Sequence, residues 1–546
     1  MEHKKSNIKT MVALLTYLKP LKKVMVLAVI FGTLGHLSAT MIPYLAIKAA
    51  IQKKVTIKIV VFVLSLGILR AIFRYLEQLL NHHIAFKILA EIRHHVFNQL
   101  QRLAPSKLEE KNQGDLIAMI TSDIELIEVF YAHTISPILI FVFYLIVILL
   151  LQSAISVAAV LITLLSHSFI VYFIPRFAHR HAQEKGDIIR RQSGLLSADM
   201  LSGIYGIFSL SQFSMKASYQ KKLENESEKL TNQQFVLRKN QGFSLSLVDL
   251  SIFTFALLLI FKTKVLSIEA SVLALVLYLS SFGPSIALAN LGFDLQETLA
   301  SARRITDLLA EEPLIKEQVD AVDIGDFQHL VFSKVSFSYN EDLILDDISF
   351  NLNNNEILGI KGRSGEGKST ILKLMMRFWD VKRGKILING LDIKELSLSS
   401  LRSTISYMGQ DPLLFEDTIA YNIGFNDPRY DQKAIEKAAK KAAIHELIIS
   451  LEDGYQTKLA TLGDSLSMGE KQRIALARMF LFDHDVLLFD EPTSNLDYYN
   501  ESLILKSIRD HCKDKTVVIV SHRESTLRIC DRILNLEHGQ LKECAC

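Results

Sequence analysis

Between Val129 and Pro175 lie 47 consecutive residues without an Asp, Glu, Lys or Arg. About 20 residues of helix cross a hydrocarbon core ~30 Å thick, so such a stretch cannot belong to an ordinary water-soluble domain. It is also too long for one crossing. It reads as two crossings joined by a tight hairpin at Gln152-Ser153. Four further stretches fit crossings: the uncharged Val24 to Ile47, Val55 to Leu80 with Arg70 and Arg74, Gly242 to Phe261 with Asp249, and the uncharged Ala270 to Phe293. The expectation is therefore a membrane all-α domain of six transmembrane helices over residues 1–315. Composition agrees, with 49% hydrophobic and 22% charged residues and a mean hydropathy of +0.25. These values exclude a disordered or collagen-like chain, and a net charge of +3 argues against a nucleic-acid binder.

Six lysines (Lys4, Lys5, Lys9, Lys19, Lys22, Lys23) precede the first crossing and favour a cytosolic N-terminus. No cleavable signal is expected, because the first apolar run starts late and is too long for a signal h-region. Six crossings return the chain to its starting side. Two charged stretches separate them, Asn81 to Glu128 and Arg176 to Asn240, both rich in helix formers. They read as spans prolonged into the cytosol as helices, with turns at Gly114-Asp115 and at Gly203.

Beyond Pro313 the long apolar runs stop, and short strand-like and helical runs alternate, as in an α/β domain. The strand Ile357-Leu-Gly-Ile-Lys361 leads into Gly362-Arg-Ser-Gly-Glu-Gly-Lys-Ser-Thr370, followed by a helical pattern. This is a phosphate-binding loop in its strand–loop–helix context. The glycines Gly362, Gly365 and Gly367, with Ser364 and Thr370, let backbone N–H groups close around phosphate oxygens. Lys368 is placed to reach the β- and γ-phosphates, and Ser369 to bind Mg²⁺. About 120 residues on, the apolar strand Val486-Leu-Leu-Phe delivers Asp490 and Glu491. Beside a phosphate loop, two carboxylates at a strand end read as a metal ligand and a water-activating group.

These motifs together resemble the ABC transporter half: one transmembrane domain fused to one ATP-binding domain, here 325–546. The resemblance implies ATP as ligand, Mg²⁺ held by Ser369, Gln410 and Asp490, and a multi-pass protein of a bacterial cell membrane with its ATP-binding domain in the cytosol. It implies that Tyr339 stacks on adenine and that Gln410 senses the metal. Leu466-Ser-Met-Gly-Glu-Lys-Gln-Arg473 occupies the signature, with Ser467 and Gly469 as phosphate contacts. Ser494-Asn-Leu-Asp497 matches the loop that crosses to the partner, and His522 matches the switch histidine beside the catalytic Glu491. In this family two such halves sandwich two ATPs, so a second half-transporter is an implied partner, along with a small-molecule substrate. Segments such as Gly114 to Asp123 and Leu295 to Arg303 look like the exporter-type (type IV) fold, and in detail like CydC-like halves, a group linked to amino acid, thiol or haem transport.

Two departures qualify that picture. The usual Leu-Ser-Gly-Gly-Gln signature has Met468 at its third position and Glu470 at its fifth, and Ala460-Thr-Leu-Gly463 lacks the acid that exporters commonly carry upstream. With the hydrolytic residues complete, this pattern fits the catalytically intact half of a heterodimer; a homodimer is the competing reading. Export is the leading direction. The alternatives are an importer on the same fold (amino acid, thiol, haem or siderophore type), with a separate substrate-binding subunit, and an ATP-gated or regulatory membrane subunit. Arg70 and Asp249 are ionisable groups inside expected spans, which default to pathway or pairing roles; His36 lies mid-span, where an isolated histidine reads as structural, with haem or metal contact as the alternative. The terminal Cys544-Ala-Cys546 reads as a flexible tail.

Overall fold

The computed structural model describes residues 2–109, 111, 113–263, 266–339, 342–460, 463, 465–494 and 496–543. The Cys544-Ala-Cys546 tail lies outside them, as do Thr461, Leu462 and Asn495 of the quoted motifs. The chain divides into two compact units, Met1–Leu103 with Glu110–Glu312, and Ala104–Glu109 with Pro313–Cys546.

The first unit is helical. Among the described residues, five helices are long and apolar enough to cross a membrane: Thr10–Ile51, Ile57–Leu103, Gly114–Ser153, Lys216–Thr263 and Ile268–Ala289. The remaining expected crossing falls on a shorter apolar helix, Val157–Phe173, continuous with Ile174–Tyr205. The hairpin expected at Gln152-Ser153 falls where Ser136–Ser153 ends, and Ser156 caps the next helix by accepting from the Ala158 N–H at 3.2 Å. Its core gathers Ile162, Ile170, Val248, Leu259, Tyr278 and Phe282.

Two expected turns are helical instead. Gly114 and Asp115 lie inside Gln113–Ala118, and the turn residues come earlier, at Ala104 and Pro105. Gly203 lies inside Ile174–Tyr205, which ends at Gly206. The glycine serves packing: a Cβ at 203 would meet the Tyr219 ring 2.6 Å away, so its absence lets Lys216–Thr263 come close.

Among the described residues, the second unit carries two sheets. Strands β1 (His329–Tyr339), β2 (Asp342–Asn353), β4 (Arg383–Ile388) and β5 (Leu391–Asp392) form an antiparallel sheet in the order β2-β1-β4-β5. The larger sheet, in the order β10-β9-β3-β8-β7-β6, combines β3 (Ile357–Gly362), β6 (Ile405–Met408), β7 (Val486–Asp490), β8 (Thr516–Val520), β9 (Arg532–Glu537) and β10 (Gln540–Glu543). Its β9-β3-β8-β7-β6 part is parallel. Every residue of β7 and β8 is buried, as expected for a sheet covered on both faces. Alternation sends Val486 and Leu488 to one core and Leu487 and Phe489 to the other.

Candidate functional site

In an open parallel sheet, ligand-binding loops gather beyond the carboxyl ends of the strands. Here β3, β8, β7 and β6 lie side by side and are followed respectively by the glycine-rich loop, His522, Glu491 and Gln410. Four motifs widely separated in sequence thus meet at one sheet edge.

The loop after β3 turns through two glycines of positive φ, Gly365 (86°) and Gly367 (99°). At Gly367 a side chain is excluded twice over, by that backbone and by Ile344, whose Cγ2 lies 2.5 Å from an added Cβ. Glu366 ties the loop by accepting from the Arg363 N–H at 2.8 Å. Ser364 stands exposed at the loop, while Lys368 opens the helix Lys368–Met375 and is buried. Its ammonium donates to the carbonyls of Gly362 (3.0 Å) and Arg363 (2.8 Å) and lies 3.9 Å from Glu491 Oε1. Ser369 donates to Asp490 Oδ1 at 2.8 Å. Thr370 Oγ1 lies 3.4 Å from the Tyr339 hydroxyl, and Tyr339 meets Trp379 edge-on at 5.4 Å.

Glu491 follows β7 with φ 48°, pinned by its N–H donating to the Val520 carbonyl at 2.9 Å. His522 Nδ1 lies 3.1 Å from Glu491 Oε1. The His522 loop is anchored in turn: buried Glu501 accepts from Arg523 Nη1 at 2.8 Å and from the Ser525 hydroxyl. Lys368, Ser369, Thr370, Tyr339, Asp490, Glu491 and His522 therefore form one cluster. Gln410 is exposed and joins this edge through its backbone, where its carbonyl accepts from Gln472 at 3.5 Å.

Ser467, Gly469 and Asp497 form a second cluster. Ser467 caps the helix Met468–Phe482, and Glu470 completes a capping box by accepting from the Ser467 N–H at 2.8 Å. The unusual acid at the fifth signature position is thus spent on its own helix end, a task that glutamine performs equally well. Gly469 sits against Asn500, whose Cγ would be 3.0 Å from an added Cβ. Asp497 caps Tyr498–His511, with both carboxylate oxygens accepting from Asn500 at 2.8 Å. Those bonds hold its carboxyl below the usual range, led by the one from the backbone N–H.

The sequence reading missed Tyr407, which donates to Asp490 Oδ2 at 3.1 Å. Its signal was faint: an aromatic on a four-residue strand two residues before Gly409-Gln410. It also missed Lys373, held by both oxygens of Glu109 (3.0 and 3.1 Å) and set 5.3 Å over Trp379. Burial pushes the Asp490 carboxyl up, with the Ser369 and Tyr407 bonds opposing it. A carboxyl raised above its unfolded value stabilises the fold at low pH, and that stabilisation is lost as pH rises through the folded pKa. At neutral pH the charge is therefore a cost. Asp490→Asn is expected to raise the melting temperature of the nucleotide-free protein at pH 7. Thermal unfolding in detergent checks this, and a lower melting temperature would contradict it.

Comparison with known proteins agrees with the geometry. Residues 24–285 match the model of the ABC transporter transmembrane region, and residues 345–494 match that of the ABC transporter domain. A Haemophilus influenzae protein named "Probable ABC transporter ATP-binding/permease protein" is 38% identical, over 98% of this chain and 100% of its own length. An ATP-dependent lipid A-core flippase of Syntrophus aciditrophicus is 28% identical, over 86% of this chain and 79% of its own. The structure of a bacterial Atm1-family ABC exporter with ATP bound superposes with a TM-score of 0.85 at 24% identity, covering 96% of this chain and 95% of that one. A membrane region of long helices and a phosphate loop at the end of a parallel sheet, on one polypeptide related over its whole length to such proteins, place this chain in the ABC transporter family.

Proposed function

We propose that the chain is one half of a dimeric, ATP-driven exporter of a small molecule, with 1–315 as its membrane part and 325–546 as its ATP-binding part, the latter and the N-terminus in the cytosol. The observation that carries this reading is the meeting of Lys368, Asp490, Glu491 and His522 at one sheet edge. Membership among ATP-binding/permease proteins and the exporter fold support the direction.

In this reading the loop N–H groups and Lys368 hold the ATP phosphates, with Tyr339 against adenine. Ser369, Asp490 and Gln410 fit Mg²⁺: two are oxygen donors already 2.8 Å apart, and the buried Asp490 charge is one that a hard cation would compensate. The metal would neutralise charge building up on the transferred phosphoryl group. Glu491 accepts a proton from the attacking water, and His522, which it faces at 3.1 Å, swings to orient that water against the γ-phosphate. Ser467, Gly469 and Asp497 serve the partner's ATP, so nucleotide bridges the two halves and hydrolysis releases them.

For the partner, Met468 supports a heterodimer in which this chain supplies the complete hydrolytic residues, and the other half an unaltered signature. The second reading, a homodimer, is favoured by the capping box, because Glu470 is held by Ser467 rather than facing an anion. Repair of the signature separates them. In the heterodimer, Met468→Gly with Glu470→Gln changes total ATPase only modestly; in the homodimer it raises ATPase several-fold. Glu470→Ala, which removes the reciprocal bond of the capping box, should cost about 0.5–1.5 kcal/mol of stability in either case, read by denaturant unfolding. A fully stable Glu470→Ala would contradict the capping role.

A further inference from the structure

Of the ionisable residues expected inside spans, the structure leaves Arg70 and Asp249 on exposed faces and brings His36 to a different partner. A cavity of about 270 Å³ opens among four helices of the first unit, lined by His36, Arg74, Glu77, Gln78 and His133 on its polar side and by Ile140, Ala287 and Leu291 on its apolar side. Arg74 Nη1 donates to Glu77 Oε2 at 2.6 Å and lies 3.5 Å from His36 Nε2. The Glu77 side chain is 3% exposed, while that of Arg74 is 51% exposed. Room for these groups comes from two glycines on separate helices. A Cβ at Gly32 would lie 3.0 Å from the Glu77 carboxyl carbon, and one at Gly283 would lie 3.2 Å from His36 Nδ1. Next to the cavity, His82 pairs with Glu128 at 2.9 Å and meets the His133 ring edge-on.

Charged side chains within membrane spans are costly and mark solute paths. Complete enclosure of an ion pair costs the desolvation of both charges. This pair instead keeps its cation half-exposed against a cavity, with the anion at the wall. We infer that the cavity is a binding site for a small zwitterionic solute, whose anionic group is taken by Arg74 and whose ammonium is taken by Glu77, with His36 and Gln78 as polar walls. A volume of about 270 Å³, just below the ~300–1,000 Å³ usual for ligand pockets, accommodates an occupant of amino-acid or dipeptide size. The inference names the substrate class of the transport reading and rests on it.

The test uses the full-length protein in lipid nanodiscs, with ATPase titrated by L-alanine and glycyl-L-alanine, and by sucrose and tetraphenylphosphonium as neutral and apolar-cation contrasts. The zwitterions are expected to stimulate turnover and the contrasts not to. Arg74→Gln and Glu77→Gln are expected to raise the half-maximal zwitterion concentration by about tenfold or more, the loss of one charged hydrogen bond. Should Glu77→Gln fail to fold, Arg74→Gln, at the half-exposed member, carries the test. Stimulation by the contrasts but not the zwitterions, no stimulation by any probe, or wild-type responses in Arg74→Gln would overturn the site. In those cases a basal ATPase still abolished by Glu491→Gln leaves the transport reading standing, whereas one indifferent to Glu491→Gln strikes that reading itself.

Discussion

Glu491→Gln is expected to reduce ATP turnover by about 10²–10⁴-fold, the range contributed by a positioned general base, while ATP still binds. The substitution removes the carboxylate that pairs with His522 and leaves the Ser369–Asp490 contact untouched. With hydrolysis blocked and binding intact, the bridging nucleotides are not cleaved, so the closed dimer accumulates. Phosphate release and size-exclusion behaviour with and without ATP check both halves of this expectation. Wild-type turnover in the variant would remove Glu491 from the chemistry.

Lys368→Ala acts one step earlier. The buried ammonium donates to two loop carbonyls, those of Gly362 and Arg363, which hold it at the mouth of the loop. Losing a charge-assisted contact costs about 1.5–3 kcal/mol, so ATP affinity should fall by roughly 10–150-fold. Equilibrium binding of a fluorescent ATP analogue measures it. The same lysine is near Glu491, at 3.9 Å, so turnover should fall as well, even at saturating ATP. Unchanged affinity in a stably folded variant would contradict the loop's assignment.

Much of this site was legible because its chemistry is carried by local sequence. A phosphate loop needs its glycines, lysine and serine within nine residues, and a fully buried strand is an unbroken apolar run, so residues 357–370 and 486–491 declare themselves. What sequence could not show are partners chosen by the topology. Tyr407 reaches Asp490 only because β6 pairs with β7 in register, Tyr407 opposite Leu488. Glu501 reaches Arg523 across 22 positions because Tyr498–His511 packs beside the strand end that carries His522. The same holds in the membrane unit. Apolar run length fixes that a helix crosses, but the segment Ala104–Glu109 joins the second unit through contacts such as Glu109 with Lys373, which no hydropathy pattern encodes. Gly203 was misread for a related reason. A glycine in a polar helix looks like a turn, yet here it clears space for Tyr219. Glu470 shows the reverse: the sequence marked it as a departure, and the geometry gives it a capping partner three residues away.

This chain's own phosphate loop, completed by Glu491 and His522, is expected to be where ATP is cleaved. Vanadate trapping tests it most directly, with radiolabelled 8-azido-ATP and Mg²⁺ on the full-length protein in nanodiscs, photolysed and mapped to peptides. Vanadate-dependent label is expected in this chain, on peptides spanning Tyr339 to Thr370; in Glu491→Gln the vanadate dependence is lost, and the label that remains comes from uncleaved nucleotide. Label absent from this chain in the wild type, or label in Glu491→Gln that still depends on vanadate, would contradict it.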